Sequence, residues 1–236
     1  MSKIRMDKLL AHAGYGTRKE VKGLLKSKFV TLNGEIVTSD KLKVDLDHDQ
    51  VMVNGEPVNY QEYVYYMLNK PVGYVSATMD NVYPTVIELI DDVHPDLFPV
   101  GRLDVDTRGL LLITNDGALG HRLTSPKHHV DKTYEVLCDG LLTEEDVQAF
   151  AKGIELDDFT CKSAKLEIIG KDHCYVTIQE GKFHQVKRMF LSVDKPVTFL
   201  KRVAMGPLKL DPALEEGQYR PLTAQEIDSL KSKSMV

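Results

Sequence analysis

Hydrophobic positions in the first sixty residues recur with a helical period and then switch to alternation. Met6, Leu9, Leu10 and Ala13 fall on one helical face, with Arg5, Lys8 and His12 on the other. Gly14-Tyr15-Gly16 interrupts the pattern, and Thr17-Arg18-Lys19-Glu20 forms a capping box that starts a second helix. In that helix Val21, Leu24 and Leu25 make the apolar stripe, while Arg18, Lys19, Lys22 and Lys26 lie opposite. Two strand-like runs then flank Asn33-Gly34, a strong two-residue hairpin signal, and a second such pair, Asn54-Gly55, follows Val51-Met52-Val53. A boundary near Tyr60-Gln61-Glu62 divides the chain into an N-terminal domain, 1–59, and a larger one, 60–236.

Beyond that boundary strand signals dominate. Tyr63 to Leu68, Gly109 to Thr114, Tyr134 to Leu137, Lys165 to Ile169 and Cys174 to Gln179 are expected strands. Helices are expected at Thr143 to Ala151, Gln185 to Ser192 and Thr223 to Leu230, the last opened by the capping box Thr223-Ala224-Gln225-Glu226. Strands and long helices do not alternate regularly, which argues against a doubly wound parallel sheet. The fold class expected is α+β: a small N-terminal α/β domain, then a body built on a mixed, mostly antiparallel sheet.

Composition changes little of this: 236 residues, 42% hydrophobic and 28% charged, are ordinary for a globular chain. No apolar stretch approaches the length of a bilayer span, and Met1-Ser2-Lys3-Ile4-Arg5 has no secretory character. Three scattered cysteines, Cys138, Cys161 and Cys174, fit a reducing cytoplasm. Charge is more informative. The net −5 conceals +6 over residues 1–30, −4 over 31–59 and −7 over the remainder. A basic helix face on an acidic protein suits a polyanion, although surface helices carry solvated charge for no such reason.

Residue order decides between those readings. Ile4-Arg5-Met6-Asp7-Lys8-Leu9-Leu10, then Thr17-Arg18, then Val30-Thr31-Leu32-Asn33-Gly34-Glu35 resembles the S4 RNA-binding domain, with Met6 and Thr17 as mild departures. The resemblance implies that Arg5, Lys8, Arg18, Lys19 and Lys22 line an RNA face.

The chemistry centres on Gly101-Arg102-Leu103-Asp104-Val105-Asp106-Thr107-Arg108-Gly109-Leu110-Leu111-Leu112, where carboxylates border an apolar strand. Such groups need cations or donors beside them. Alone, Asp104 or Asp106 could equally cap a turn. The whole segment, however, resembles the signature motif of RsuA-type pseudouridine synthases. Ser125-Pro126-Lys127 through Lys132-Thr133-Tyr134 and Glu180-Gly181-Lys182-Phe183-His184-Gln185-Val186-Lys187-Arg188 resemble two further family motifs, and Gly217 to Thr223 follows the family's tail. The resemblance implies Asp104 as the catalytic aspartate, Lys187 as its cationic partner and Tyr134 as the ring that stacks on the target base. It leaves Asp106 and Thr107 to shape the loop. Arg102, His121, Arg122 and Arg188 are candidates to hold RNA phosphates around a flipped nucleotide.

The expected reaction is conversion of a uridine in ribosomal RNA to pseudouridine by a monomer without metal or cofactor. The wording of His184 to Phe190 resembles that of the family's small-subunit-rRNA enzymes, which implies 16S rather than 23S rRNA. Two rivals stand beside it: a non-catalytic rRNA-binding or assembly factor, which a replaced Asp104 or Lys187 would favour, and a hydrolase using Asp104 and Asp106 together. His121, His128-His129 and His173-Cys174 lack zinc-site spacing. Gly14-Tyr15-Gly16 with Lys19 lacks the ending of a phosphate loop.

Overall fold

A computed structural model describes residues 3–92, 94 and 96–232. The chain divides into two compact units, Met1–Val64 with Asp92–Asp96, and Tyr65–Asp91 with Leu97–Val236.

The first unit runs β1 (Lys3–Arg5), α1 (Met6–His12), α2 (Arg18–Lys26), β2 (Val30–Leu32), β3 (Glu35–Ile36), β4 (Lys43–Asp45), β5 (Val51–Val53) and β6 (Glu56–Pro57). The Thr17–Glu20 capping box is present: Glu20 Oε2 accepts from Thr17 N at 2.7 Å, and Glu20 N donates to Thr17 Oγ1 at 3.3 Å. Both Asn-Gly pairs take left-handed backbone, with φ of 52° and 87° at Asn33-Gly34 and 52° and 82° at Asn54-Gly55. That twist matches the strands they join, β2 to β3 and β5 to β6. Met6, Leu9, Leu10, Val21 and Leu25 from the helices meet Val30, Val51 and Val53 from the strands in one core. Val58 and Tyr60 also pack on it, which extends this unit past residue 59.

The second unit contains β7 (Tyr65–Lys70), β8 (Phe98–Pro99), β9 (Arg108–Thr114), α3 (Gly117–Thr124), β10 (Lys132–Cys138), α4 (Glu144–Lys152), β11 (Lys165–Ile168) and β12 (His173–Ile178). It continues with α5 (Gln185–Leu191), β13 (Val197–Met205), β14 (Leu208–Lys209), β15 (Tyr219–Pro221) and α6 (Ala224–Lys231). The strand order is β11-β12-β10-β13-β9-β7-β15, with β14 beside β13 and β8 beside β9. Only the β13–β9 pair is parallel among the described pairs. β7 is buried along its whole length and β9 along nearly all of it, as befits central strands covered on both faces. Tyr65, Met67, Leu110 and Leu112 pack with Leu119 and Leu123 of α3 and Leu230 of α6. Phe150 of α4 and Phe190 of α5 meet edge to face at 5.0 Å.

The junction of β9 with β13 requires glycine. Gly109 has φ +100°, and a Cβ there would lie 2.3 Å from the Arg202 carbonyl oxygen and 2.9 Å from the Arg202 nitrogen. Both obstacles are backbone in a paired strand, so nothing nearby can yield. Gly109→Ala is expected to cost about 3 kcal/mol or more in urea denaturation. Gly23→Ala, in the middle of α2 with nothing within 4 Å of the added carbon, should instead gain roughly 0.5–1 kcal/mol. Equal effects at the two sites would refute the close-approach argument.

Candidate active site

The loop between β8 and β9 carries Arg102, Asp104 and Asp106, and its shape is fixed from below. Leu103 N donates to Ser76 Oγ and that hydroxyl donates back to Leu103 O, both at 3.0 Å. Gly73 N donates to Val105 O at 2.8 Å, and Thr107 N to Asp104 O at 3.0 Å. Lys70, the last residue of β7, is fully buried under this loop. Its ammonium donates to Pro71 O and Thr107 O at 2.9 Å and to Val105 O at 3.4 Å. Burial pushes Lys70 down to about 8, an effect that the nearby Asp104 and Asp106 carboxylates oppose.

Above the loop, the start of α5 supplies the partners of Asp104. Lys187 Nζ lies 3.2 Å from Asp104 Oδ2 and 2.5 Å from Asp106 Oδ1, so one ammonium bridges two carboxylates. Burial alone would lower the Lys187 pKa, but the hydrogen bonds to Asp106 and Asp104 outweigh it and hold Lys187 above its ordinary value. Asp106 balances the other way: burial would raise it, and the bond from Lys187 keeps it below the usual carboxylate range. His184, the residue capping α5, has left-handed backbone at φ 49° and places Nε2 3.7 Å from Asp104 Oδ1. Its ring stacks on the exposed Phe183 at 3.8 Å.

These groups border a pocket whose walls include Arg102, Asp104, Tyr134, Ile178, Lys187 and Leu200. A carboxylate held by an ammonium, facing a tyrosine ring and two aliphatic side chains, can stabilise a sugar cation while the ring covers a planar base. Residues 64–192 match the family of RNA pseudouridylate synthases, and residues 4–49 match the S4 domain. The chain is 47% identical to the uncharacterized RNA pseudouridine synthase YtzG of Bacillus subtilis (strain 168), over 96% of this chain and 98% of that one. The chain belongs to the pseudouridine synthase family.

Other relatives agree with this membership. The ribosomal small subunit pseudouridine synthase A of Escherichia coli (strain K12) is 42% identical, over 96% of this synthase and 100% of its own length. A crystal structure of a pseudouridylate synthase superposes with a TM-score of 0.68 at 41% identity, covering 96% of this chain and 99% of that one. The synthase is thus an isomerase carrying an S4 domain.

The structure brings Asp104, Tyr134, Lys187 and Arg102 to one pocket and places the other sequence candidates elsewhere. Arg122 of α3 is spent on structure, donating to the backbone carbonyls of Leu230 and Lys231 at the end of α6. His121, on the same helix, is exposed and lines none of the cavities around Asp104. Arg188 pairs with Asp158 and lies over the Phe159 ring at 5.4 Å. In the N-terminal unit Arg5, Lys8 and Arg18 line one cleft together with Lys3 and Tyr60. Arg5 is bound to Asp7 through two bonds of 3.0 and 2.8 Å, Lys22 is 3.4 Å from Asp40, and Lys19 is exposed on α2.

Three contributors escaped the sequence reading: Lys70, Asp106 as a second ligand of Lys187, and His184. His184 had a usable signal, since it lies three residues before Lys187 in a motif already singled out. Lys70 had none, because two of its three partners are backbone carbonyls 35 and 37 residues away. Among the described residues only Asp45, Asp47 and His48 gather three metal-type ligand atoms, in the N-terminal unit. Asp45 Oδ1 there already accepts from Asp47 N at 3.2 Å.

Proposed function

We propose that this synthase isomerises one uridine of 16S rRNA to pseudouridine, with Asp104 as the catalytic carboxylate. The observation that carries the reading is Asp104 on a pocket wall with Tyr134, held by Lys187. In the reaction the N1–C1′ bond breaks, the uracil turns, and C5 joins C1′; the C5 proton is lost and N1 gains one. Positive charge developing at C1′ is met by the Asp104 carboxylate, which can stabilise or trap it. Lys187 orients that carboxylate, and Tyr134 stacks on the base. Atoms and electrons balance within the nucleotide, so the reaction calls for no cofactor.

The uridine must leave its stack to reach Asp104, and Arg102 is placed to meet the backbone of the extruded nucleotide. The S4 domain supplies affinity through Arg5, Lys8, Arg18, Lys19 and Lys22. Choice of the small subunit is supported by full-length relatives named as ribosomal small subunit pseudouridine synthase A. The proposed setting is the cytoplasm, where ribosomal RNA is assembled, with the enzyme acting as a monomer.

The test is carbodiimide mapping of pseudouridine in 16S and 23S rRNA from cells with and without the gene. One 16S site should vanish on deletion and return with the wild-type gene. A lost 23S site would move the substrate to the large subunit. No change in either RNA would overturn the assignment to ribosomal RNA, in favour of a binding role or a non-ribosomal target.

A further inference from the structure

Beside the pocket at Asp104 lies a second cavity whose walls include Val100, Lys132, Tyr134, Gln179, Arg202 and Met205. Arg202 gives it its character. The residue is only 1% exposed. Its Nε donates to Leu110 O at 2.8 Å, while Nη2 is buried with no hydrogen-bond partner among the described residues. Lys132 stands on the same wall, and its ammonium donates to Val130 O at 2.9 Å. Among the described residues neither cation forms an ion pair with a carboxylate. Two acids of this region also accept from other groups: Asp131 Oδ1 accepts from Gln179 Nε2 at 3.0 Å, and Glu180 Oε2 accepts from Lys162 N and Gln185 Nε2 at 3.0 Å each. Burial, and after it the Arg202 charge, pushes Lys132 down to about 8, against the opposing pull of the Asp131 carboxylate.

Two sheltered cations outside any ion pair are costly, and a guanidinium donor left unsatisfied adds to the cost. The sheet is deformed to place them so. Lys132 faces Met205 and Thr133 faces Ala204, but Tyr134 faces Arg202, leaving Val203 as an extra residue on β13. That bulge changes the side-chain parity, so Arg202 and Met205 both border the cavity although they are three residues apart. Tyr134 borders both this cavity and the pocket of Asp104.

We propose that this cavity seats a phosphodiester of the substrate RNA adjoining the target uridine, its charge shared by Arg202 and Lys132. The inference rests on the pseudouridine synthase reading and adds to it a defined anion seat one wall away from the reacting sugar. Arg202 presents a donor to a phosphate oxygen, and Lys132 adds charge from the neighbouring strand. Tyr134, between them and Asp104, ties the position of the phosphate to the position of the base.

The test uses the full-length enzyme and a short RNA containing the uridine found by mapping. The phosphodiester on its 5′ or its 3′ side is replaced, one at a time, by an uncharged methylphosphonate. One of the two replacements should raise the wild-type KM about tenfold, the size expected for a lost charge-assisted hydrogen bond. Lys132→Met should raise KM similarly on native RNA, with kcat within about threefold of wild type. The neutral linkage should then add less than about twofold, because the charge it removes no longer has its partner. The dependence of log KM on log salt should flatten by roughly 0.7 in that variant. Arg202→Lys provides a second variant that keeps a buried cation, and is read only after its urea midpoint matches wild type.

Wild-type indifference to both neutral linkages would overturn the proposal, as would undiminished sensitivity in Lys132→Met. Competition by inorganic phosphate without any linkage effect would also overturn it, assigning the cavity to free phosphate. Failure of the isomerase reading shows separately, as native RNA that wild type leaves unmodified. Fluorescence anisotropy of the native and neutral-linkage RNAs then still decides whether the phosphate is held.

Discussion

Asp104→Asn is expected to abolish pseudouridine formation while leaving RNA binding and folding intact. The substitution is isosteric, and the side chain is 30% exposed, so no cavity opens. What it removes is the negative charge proposed to meet the sugar cation, together with the ion pair to Lys187 at 3.2 Å. Losing a nucleophilic or charge-stabilising carboxylate costs on the order of 10⁴-fold or more in kcat. Tritium release from C5-labelled uridine RNA follows the turnover directly, and anisotropy with the same RNA should give an unchanged Kd. A variant retaining a tenth of wild-type kcat would remove Asp104 from the chemistry. A folded variant that no longer bound RNA would make Asp104 a binding residue instead.

Lys187→Met should produce the second-largest loss, about 10²- to 10³-fold in kcat, and its cause can be separated by a cycle. Lys187 holds two carboxylates at once, so its removal leaves Asp104 and Asp106 facing each other without that cation. Asp106→Asn alone should cost less than about tenfold, since Lys187 still holds Asp104. In the double variant, neutral Asp106 relieves the repulsion, and kcat should recover about tenfold over Lys187→Met. Simple addition of the two losses would show that Asp106 does not share the lysine. The pH dependence of stability offers an independent reading. Asp106 is held low by Lys187 in the folded protein, so this pair contributes stability above the ordinary carboxylate pKa and loses it as pH falls through the depressed value. Acid unfolding of Lys187→Met should therefore begin at higher pH than in wild type.

Much of this arrangement was legible in the order of residues, and the exceptions share a cause. Capping boxes at Thr17 and Thr223 and the two Asn-Gly hairpins are local devices, closed within three or four residues. β9 announced itself as an apolar run after a loop of fixed composition. β13, the longest strand, did not, because Lys201-Arg202 interrupts its apolar positions. Its central arginine is buried by tertiary structure: a bulge, a glycine on β9 and a cavity that no window of sequence contains. α3 is hard to read from sequence because Gly117 and Gly120 lower the helix propensity of its first turns. It persists through the Asp116 cap, whose Oδ1 accepts from Leu119 N at 3.0 Å. Gly120 is required there, since a Cβ would meet the Phe98 ring at 2.8 Å.

At the site the same division holds. Asp104, Tyr134 and Lys187 stand in motifs, so their residue types and order carried the resemblance. Arg122 shows the opposite case, a basic side chain of suitable type whose guanidinium ends on two helix carbonyls. Nothing in its neighbours along the chain could announce a partner more than a hundred residues away.

The floor beneath Asp104 is a lysine reading three backbone carbonyls, those of Pro71, Val105 and Thr107. A carbonyl is the one acceptor that every amino acid offers alike. The support therefore specifies the path of the chain and is blind to the side chain at Val105, so the segment flanking the proposed catalytic carboxylate can change its composition while its geometry is inherited intact.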